Sequence, residues 1–311
     1  MASTKPATFL EGWRLLLRHP SLFFWVYLVN LVLAWIGTRG FARRIGAVLN
    51  HSLIADRLVY GFDLGVVTSL RALPGSAFGS PATGLLGPSF VFTVFLLFIT
   101  GGLLVTYYND APLSIGPFFE ACGHYFWRFV RLMISFAVLL VPLLILAGLG
   151  LRLFGRIDDR AVSPFTAVIF MGVALAGIVV LLMCVRLWFD MAQVIAVAED
   201  EPRMRKALRR AAGLLRQNFG SLFWLYFRIS LLGWIGFGAG VRIWMSHIRP
   251  ESINTAILLG QLSILIWLGT RLWQRASEAR WYRLYWDAQT AESPAPATVV
   301  SSAVFGTPAE S

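Results

Sequence analysis

The chain has 311 residues, of which 57% are hydrophobic and 14% charged, and its formal net charge is +11. Soluble domains carry about 25% charged residues, so an ordinary soluble enzyme is excluded, and the wealth of Phe, Trp, Leu and Val excludes a largely disordered chain. Cys122 and Cys184 are the only cysteines, too few for a disulfide framework or a cysteine-rich metal module.

A helix needs about 20 mostly apolar residues to cross a hydrocarbon core of about 30 Å. In chain order such runs occupy 21–38, 86–108, 132–151, 161–185, 221–241 and 252–270, the fifth interrupted only by Arg228. The runs are solidly apolar rather than alternating, which excludes a transmembrane barrel. The first reads as an uncleaved anchor, because Thr38-Arg39-Gly40 is a poor signal-peptidase site. Pro142 is expected to bend the third span without ending it. The fold class is therefore all-α: a polytopic membrane protein with about six transmembrane helices in one domain, residues 1–288. Residues 289–311 are small, polar and Pro-containing, and are expected to form a disordered cytoplasmic tail.

Basic residues resist translocation, so loop charge reports orientation. With six spans, sixteen Lys and Arg fall on the side of the two termini and ten on the other. Both termini are expected in the cytoplasm of a cell with its spans in the inner (plasma) membrane. Aromatic residues at the expected inner ends read as an interfacial belt: Phe23-Phe24-Trp25, Tyr107-Tyr108, Phe126-Trp127, Trp188-Phe189, Phe223-Trp224 and Trp273.

The chain also repeats. Shifted by 200 residues, RHPSLFFWVYL lies over NFGSLFWLYFR, with Ser21-Leu22-Phe23 on Ser221-Leu222-Phe223. A central copy, FFEACGHYFWRFVRL from Phe118, matches with a gap. Each copy opens with an amphipathic segment whose apolar side recurs at helical spacing: Phe9, Trp13, Leu16 and Pro20; Ile115, Phe118 and Cys122; Met204, Leu208, Ala211 and Leu215. The expectation is three helical hairpins (spans 1–2, 3–4 and 5–6), each introduced by a cytoplasmic interfacial helix.

The run DMAQVIAVAEDEPRMRKALRRAAGLLRQNFGSLFWLYF from Asp190, together with FFEACGHYFWRF, resembles bacterial six-span proteins similar to the membrane domain of glycerophosphoryl diester phosphodiesterases. The resemblance covers most of residues 8–288 and is structural. It implies a six-span membrane domain, but not the soluble phosphodiesterase domain with its metal-binding carboxylates and histidines, which has no counterpart here. No catalytic residue carries over.

The segment after the fourth span is the clearest local feature. Glu199, Asp200 and Glu201 precede a helix, where negative charge complements the dipole, and Pro202 suits its first turn. Arg203, Arg205, Lys206, Arg209, Arg210 and Arg216 project from its polar side as candidate contacts to anionic lipid headgroups, each worth roughly 1 kcal/mol near the surface. The blander reading is a positive-inside loop that fixes topology.

Arg228 lies about seven residues inside the fifth span, where a central Arg costs roughly 2.5–3.5 kcal/mol. With Asn30 and Gln261 it forms a candidate intramembrane polar site for an anion. Alternatively it snorkels to the nearby headgroups, which its shallow depth favours. Gly236 and Gly240 make a GxxxG step suited to close helix packing.

In the loop after the first span, Phe41, Ile45, Leu49 and Leu53 read as an interfacial helix. Asp56 and Asp63 lie nearby, seven residues apart with nothing to complete a catalytic pair. His19, His51, His124 and His247 are scattered, so no metal-ligand spacing arises, and no cofactor is expected. The basic charge points to anionic membrane lipid rather than nucleic acid, and any membrane-protein partner is unspecified. These features favour non-enzymatic scaffolding, lipid interaction or partner recruitment. The alternative is a transporter or permease-like component for a small anionic or lipid-like substrate.

Overall fold

A computed structural model of the protein describes residues 7–49, 65, 81–112, 114–158, 164–247 and 252–292. Seven helices organise the described residues: α1 (Ala7–Arg18), α2 (Pro20–Leu49), α3 (Pro81–Asn109), α4 (Ile115–Asp158), α5 (Pro164–Ala198), α6 (Met204–His247) and α7 (Ile253–Glu292). Six of them, α2 to α7, are long and apolar enough to cross a membrane. The protein is a polytopic helical membrane protein.

The helices pack as three hairpins, α2–α3, α4–α5 and α6–α7, around a shared centre. The second helices of the hairpins, α3, α5 and α7, all touch one another. Each first helix fits against the groove between two of them: α2 touches α3 and α7, α4 touches α3 and α5, and α6 touches α5 and α7. This arrangement has approximate threefold order, the pattern that the repeat implies.

The turns carry the same order. Asp110 follows α3 with φ 52° and Asp200 follows α5 with φ 46°, the left-handed region that Asp tolerates better than most residues. Each accepts an ion pair from the amphipathic segment that opens its own hairpin unit. Arg18 binds Asp110 at 2.9 Å, and Arg128 binds Asp200 at 2.6 Å.

The amphipathic segments enter their spans in three different ways. The first is a separate helix, α1, broken from α2 at His19. The second runs without interruption into α4, and that helix also continues through Pro142. The third joins its span through a kink at Asn218, where φ is −120° and ψ is 25°. The expected independent interfacial helix is thus present only as α1. In the other two units the hydrogen-bond ladder simply carries on.

Packing is concentrated at the end that holds α1, here called the base. Its interior is built from Leu103, Leu104, Tyr107, Cys122, Phe129, Leu187, Met191, Ile195, Ala207, Ala211, Leu222, Ala276 and Ala279. Away from the base the helices expose apolar side chains such as Trp35, Val138, Leu146, Val173, Trp234 and Leu258, a surface suited to hydrocarbon. The aromatic belt expected at the inner ends is divided accordingly. Trp25, Trp127 and Trp224 face outward, whereas Tyr107, Phe189 and Trp273 are buried in the base.

Most of the helices run past the expected spans. The fourth span was expected to stop at 185 and the sixth at 270, before Arg186 and Arg271. Instead α5 continues to Ala198 and α7 to Glu292, so four residues assigned to the disordered tail, Gln289–Glu292, are helical. Charge does not end these helices, because the charged side chains find partners across the base. Residues 293–311 lie outside the described part, as do His51, Leu53, Asp56 and Asp63 of the long loop. Helix α2 itself continues to Leu49.

Candidate functional site

The base contains a charged network that hydropathy alone conceals. On α5, Arg186 and Asp190 are one helical turn apart and pair at 3.6 Å. Arg275 of α7 reaches across to the other Asp190 oxygen at 3.0 Å, and its second terminal nitrogen donates to Gln193 Oε1. Further up α7, Arg271 donates to Gln274 Oε1 at 3.4 Å and stacks its guanidinium 4.8 Å from the Trp267 ring. Gln274 in turn donates to Ser230 Oγ of α6 at 3.4 Å. Between Arg271, Gln274, Ser230 and Trp267 lies a void of about 10 Å³, room for about one water.

Glu278 completes the network. It is 2% exposed, neither carboxyl oxygen has a hydrogen-bond partner among the described residues, and its charged neighbours are Asp190, Arg275, Arg186 and Arg271. Three arginines thus face two acids inside the junction of α5, α6 and α7. Removing Asp190 would leave Arg186 and Arg275 without their carboxylate, so this acid ties α5 to α7.

The α5–α6 turn is pinned by its three acids, each to a different place. Glu199 accepts from Tyr282 Oη of α7 at 2.7 Å and pairs with Arg210. Asp200 faces α4, with Tyr125 Oη at 3.3 Å and His124 Nε2 at 3.1 Å besides Arg128. Glu201 pairs with Lys206 at 2.6 Å and accepts from the Arg203 amide. Hydrogen bonds from His124 and Arg128 hold the Asp200 carboxyl below its usual range, and the Lys206 hydrogen bond does the same for Glu201. Trp188 of α5 donates its indole N–H to the Leu208 carbonyl of α6 at 2.9 Å, closing the corner.

The six basic residues expected on this segment therefore divide. Lys206 and Arg210 are tied to the acidic turn, while Arg203, Arg205, Arg209 and Arg216 are exposed without an ion pair among the described residues. Arg205, Arg209 and Arg216 stand at helical spacing on one side of α6, and Met204, Ala207, Ala211 and Leu214 are buried on the other.

Elsewhere the expected residues take separate positions. Arg228 is exposed, with its guanidinium 4.8 Å from the Trp224 ring centroid. Gln261 of α7 accepts a hydrogen bond from Tyr27 of α2 at 2.8 Å, and Asn30 is half-buried one turn further along α2. Gly236 and Gly240 lie against α7: a Cβ at Gly236 would stand 2.7 Å from Ile266, and one at Gly240 would collide with Ser263 Oγ. His19 is buried with Nε2 unpartnered, and burial pushes its imidazole below the usual range. No group of His, Cys, Asp and Glu among the described residues could hold a metal ion.

The sequence reading puts Arg186 in the loop after the fourth span and Arg271 and Arg275 after the end of the sixth, and so misses the network. A usable signal was present. Arg186, Asp190 and Gln193 share a helical face, as do Arg271, Gln274, Arg275 and Glu278, and neither stretch contains Gly or Pro to end its helix.

No protein-family model matches the chain, and no solved structure matches it. Among curated proteins it is similar to NADH-ubiquinone oxidoreductase chain 6 of Fratercula cirrhata, 37% identical over 92 residues. That stretch is 29% of this chain and 52% of the relative, so the chain matches about half the length of that relative.

Proposed function

We propose that the protein is a non-enzymatic structural component of the cytoplasmic, or plasma, membrane, with its base and both termini on the cytoplasmic side. There it holds anionic lipid and recruits a membrane-protein partner. The observation that carries this reading is the exposed basic stripe of Arg205, Arg209 and Arg216 on a helix whose other face is locked into the base. A mobile loop would need only its net charge to fix topology. Here the charges are held at fixed spacing where the apolar flanks of the bundle give way to its polar end, as an anionic lipid surface requires.

The relative's name adds a consistent point, since it denotes one chain of a larger oxidoreductase. A component role in a membrane assembly fits this chain's architecture. The likeness to the membrane domain of glycerophosphoryl diester phosphodiesterases is compatible with the same role.

The test uses the full chain in bilayer discs of phosphatidylcholine or of phosphatidylcholine with phosphatidylglycerol. Thermal stability is expected to be higher in the anionic discs at low salt and to lose that advantage at high salt. The triple variant Arg205→Gln/Arg209→Gln/Arg216→Gln is expected to lose roughly 3 kcal/mol of lipid attraction at about 1 kcal/mol per residue. Equal stability of the native chain in both discs at low salt would contradict the reading.

A further inference from the structure

A cleft at the base is lined by Glu11, Arg14, Leu15 and Arg18 of α1, Asp110 just after α3 and Arg280 of α7, and has a volume of about 230 Å³. Two of its arginines are already engaged. Arg18 holds both Asp110 oxygens, at 2.9 and 3.1 Å, and Arg280 Nε holds Glu11 at 2.8 Å. Arg14 is exposed and has no ion pair among the described residues. The lining thus carries three positive and two negative charges, a surplus of one, and the surplus resides on Arg14.

The rest of α1 shows what kind of molecule this suits. Thr8, Gly12, Leu15, Leu16 and His19 are buried, so that face is taken. Leu10, Trp13 and Leu17 are exposed and share one side of the helix. At about 100° per residue, Arg14 falls between that apolar stripe and the cleft residues Glu11 and Arg18. An occupant that spans both regions needs a compact polar group of single negative charge joined to hydrocarbon.

We propose that this cleft binds the phosphodiester headgroup of a phospholipid, with Arg14 on the phosphate and the acyl chains along Leu10, Trp13 and Leu17. Arg18 and Arg280, each held by its acid, line the back of the cleft, where Glu11 and Asp110 also receive hydroxyl or amine donors of the headgroup. The proposal deepens the lipid-binding reading by naming one saturable site on α1, separate from the basic stripe of α6.

The experiment titrates the purified full chain in neutral detergent with short-chain phosphatidylglycerol and reads bound lipid by native mass spectrometry, with a thermal shift as a second readout. One lipid is expected to bind saturably. Arg14→Gln is expected to weaken it about fivefold, the equivalent of roughly 1 kcal/mol for one basic contact. Leu17→Gln is expected to weaken it as well, while leaving the Arg18–Asp110 pair untouched. Inorganic phosphate and glycerol phosphate at the same concentration are expected to give no comparable shift. Saturable binding should persist in the Arg205→Gln/Arg209→Gln/Arg216→Gln variant, so loss of the disc preference and loss of the cleft site are read separately. Unchanged affinity in Arg14→Gln, or equal protection by inorganic phosphate, would overturn the proposal.

Discussion

Asp190 on α5 and Arg275 on α7 meet at 3.0 Å inside the base, and Arg186 reaches the same carboxylate from one turn away. The pair joins the second helices of two different hairpins, so it reports on assembly of the bundle rather than on any single element. Asp190 is 8% exposed and Arg275 21%. Desolvation of these groups is therefore substantial, and their mutual attraction offsets it only while both are present.

Asp190→Ala is accordingly expected to destabilise the protein by about 3 kcal/mol, because Arg275 and Arg186 lose their carboxylate. The double replacement Asp190→Leu/Arg275→Met is expected to cost much less than the single change. Unfolding in mixed micelles checks both. A double variant as unstable as the single one would show that charge pairing is not the origin of the loss.

Gly12 sits where α1 crosses α7, and a Cβ there would collide with Ser277. The contact is clamped on either side: Trp273 donates its indole N–H to the Phe9 carbonyl at 2.9 Å, and Arg280 holds Glu11. Gly12→Val is expected to cost about 1–3 kcal/mol through overpacking and to expose α1 to limited proteolysis. Gly213→Ala, which meets open space in the interior of α6, is the control and is expected to cost nothing and to stabilise by up to about 1 kcal/mol.

The base should also respond to mild acid. Burial lowers the His19 pKa, so between the folded and unfolded values the unfolded chain binds a proton that the folded chain does not. Stability is then highest above about pH 6.5, the ordinary histidine value, and falls as the pH drops through that value toward the folded one. Melting curves from pH 8 to pH 5 are expected to show this decline. His19→Gln should flatten it, and an unaltered slope would assign the pH response to other groups.

Arg228 separates transport from structure. Its guanidinium lies against Trp224 on an exposed face of α6, in keeping with snorkelling. Arg228→Leu is expected to change stability by no more than about 0.5 kcal/mol and to leave insertion intact. Reconstituted vesicles loaded with a fluorescent anion indicator would decide the alternative, since a native anion flux abolished by this substitution would favour a transporter.

Much of the architecture was legible in the residues. Six apolar stretches sit in α2 to α7, and the recurrence of Ser21-Leu22-Phe23 at Ser221-Leu222-Phe223 anticipated hairpins arranged with threefold order. The polar base was not legible, because charge was taken as the end of a span. Arg186 and Arg271 instead continue their helices, since Asp190 and Gln274 supply partners that no local window reveals. The apolar side of α1 was legible in part. Hydropathy selected Phe9, Trp13, Leu16 and Pro20, of which Leu16 is buried and Phe9 and Trp13 pack on Trp273, yet it did not show that the close crossing with α7 requires the small Gly12. In a membrane protein the largest apolar side chains face lipid as readily as protein, so hydrophobicity marks the membrane but not the interface.

The six-span account is tested most directly by sided labelling of single cysteines. Ala212 and Met245 are exposed near opposite ends of α6, and Cys122 and Cys184 can first be replaced by Ala. In intact cells, a membrane-impermeant maleimide should label Met245→Cys from outside and reach Ala212→Cys only after the membrane is opened. Labelling of both positions from outside would contradict a membrane crossing between them and a cytoplasmic base.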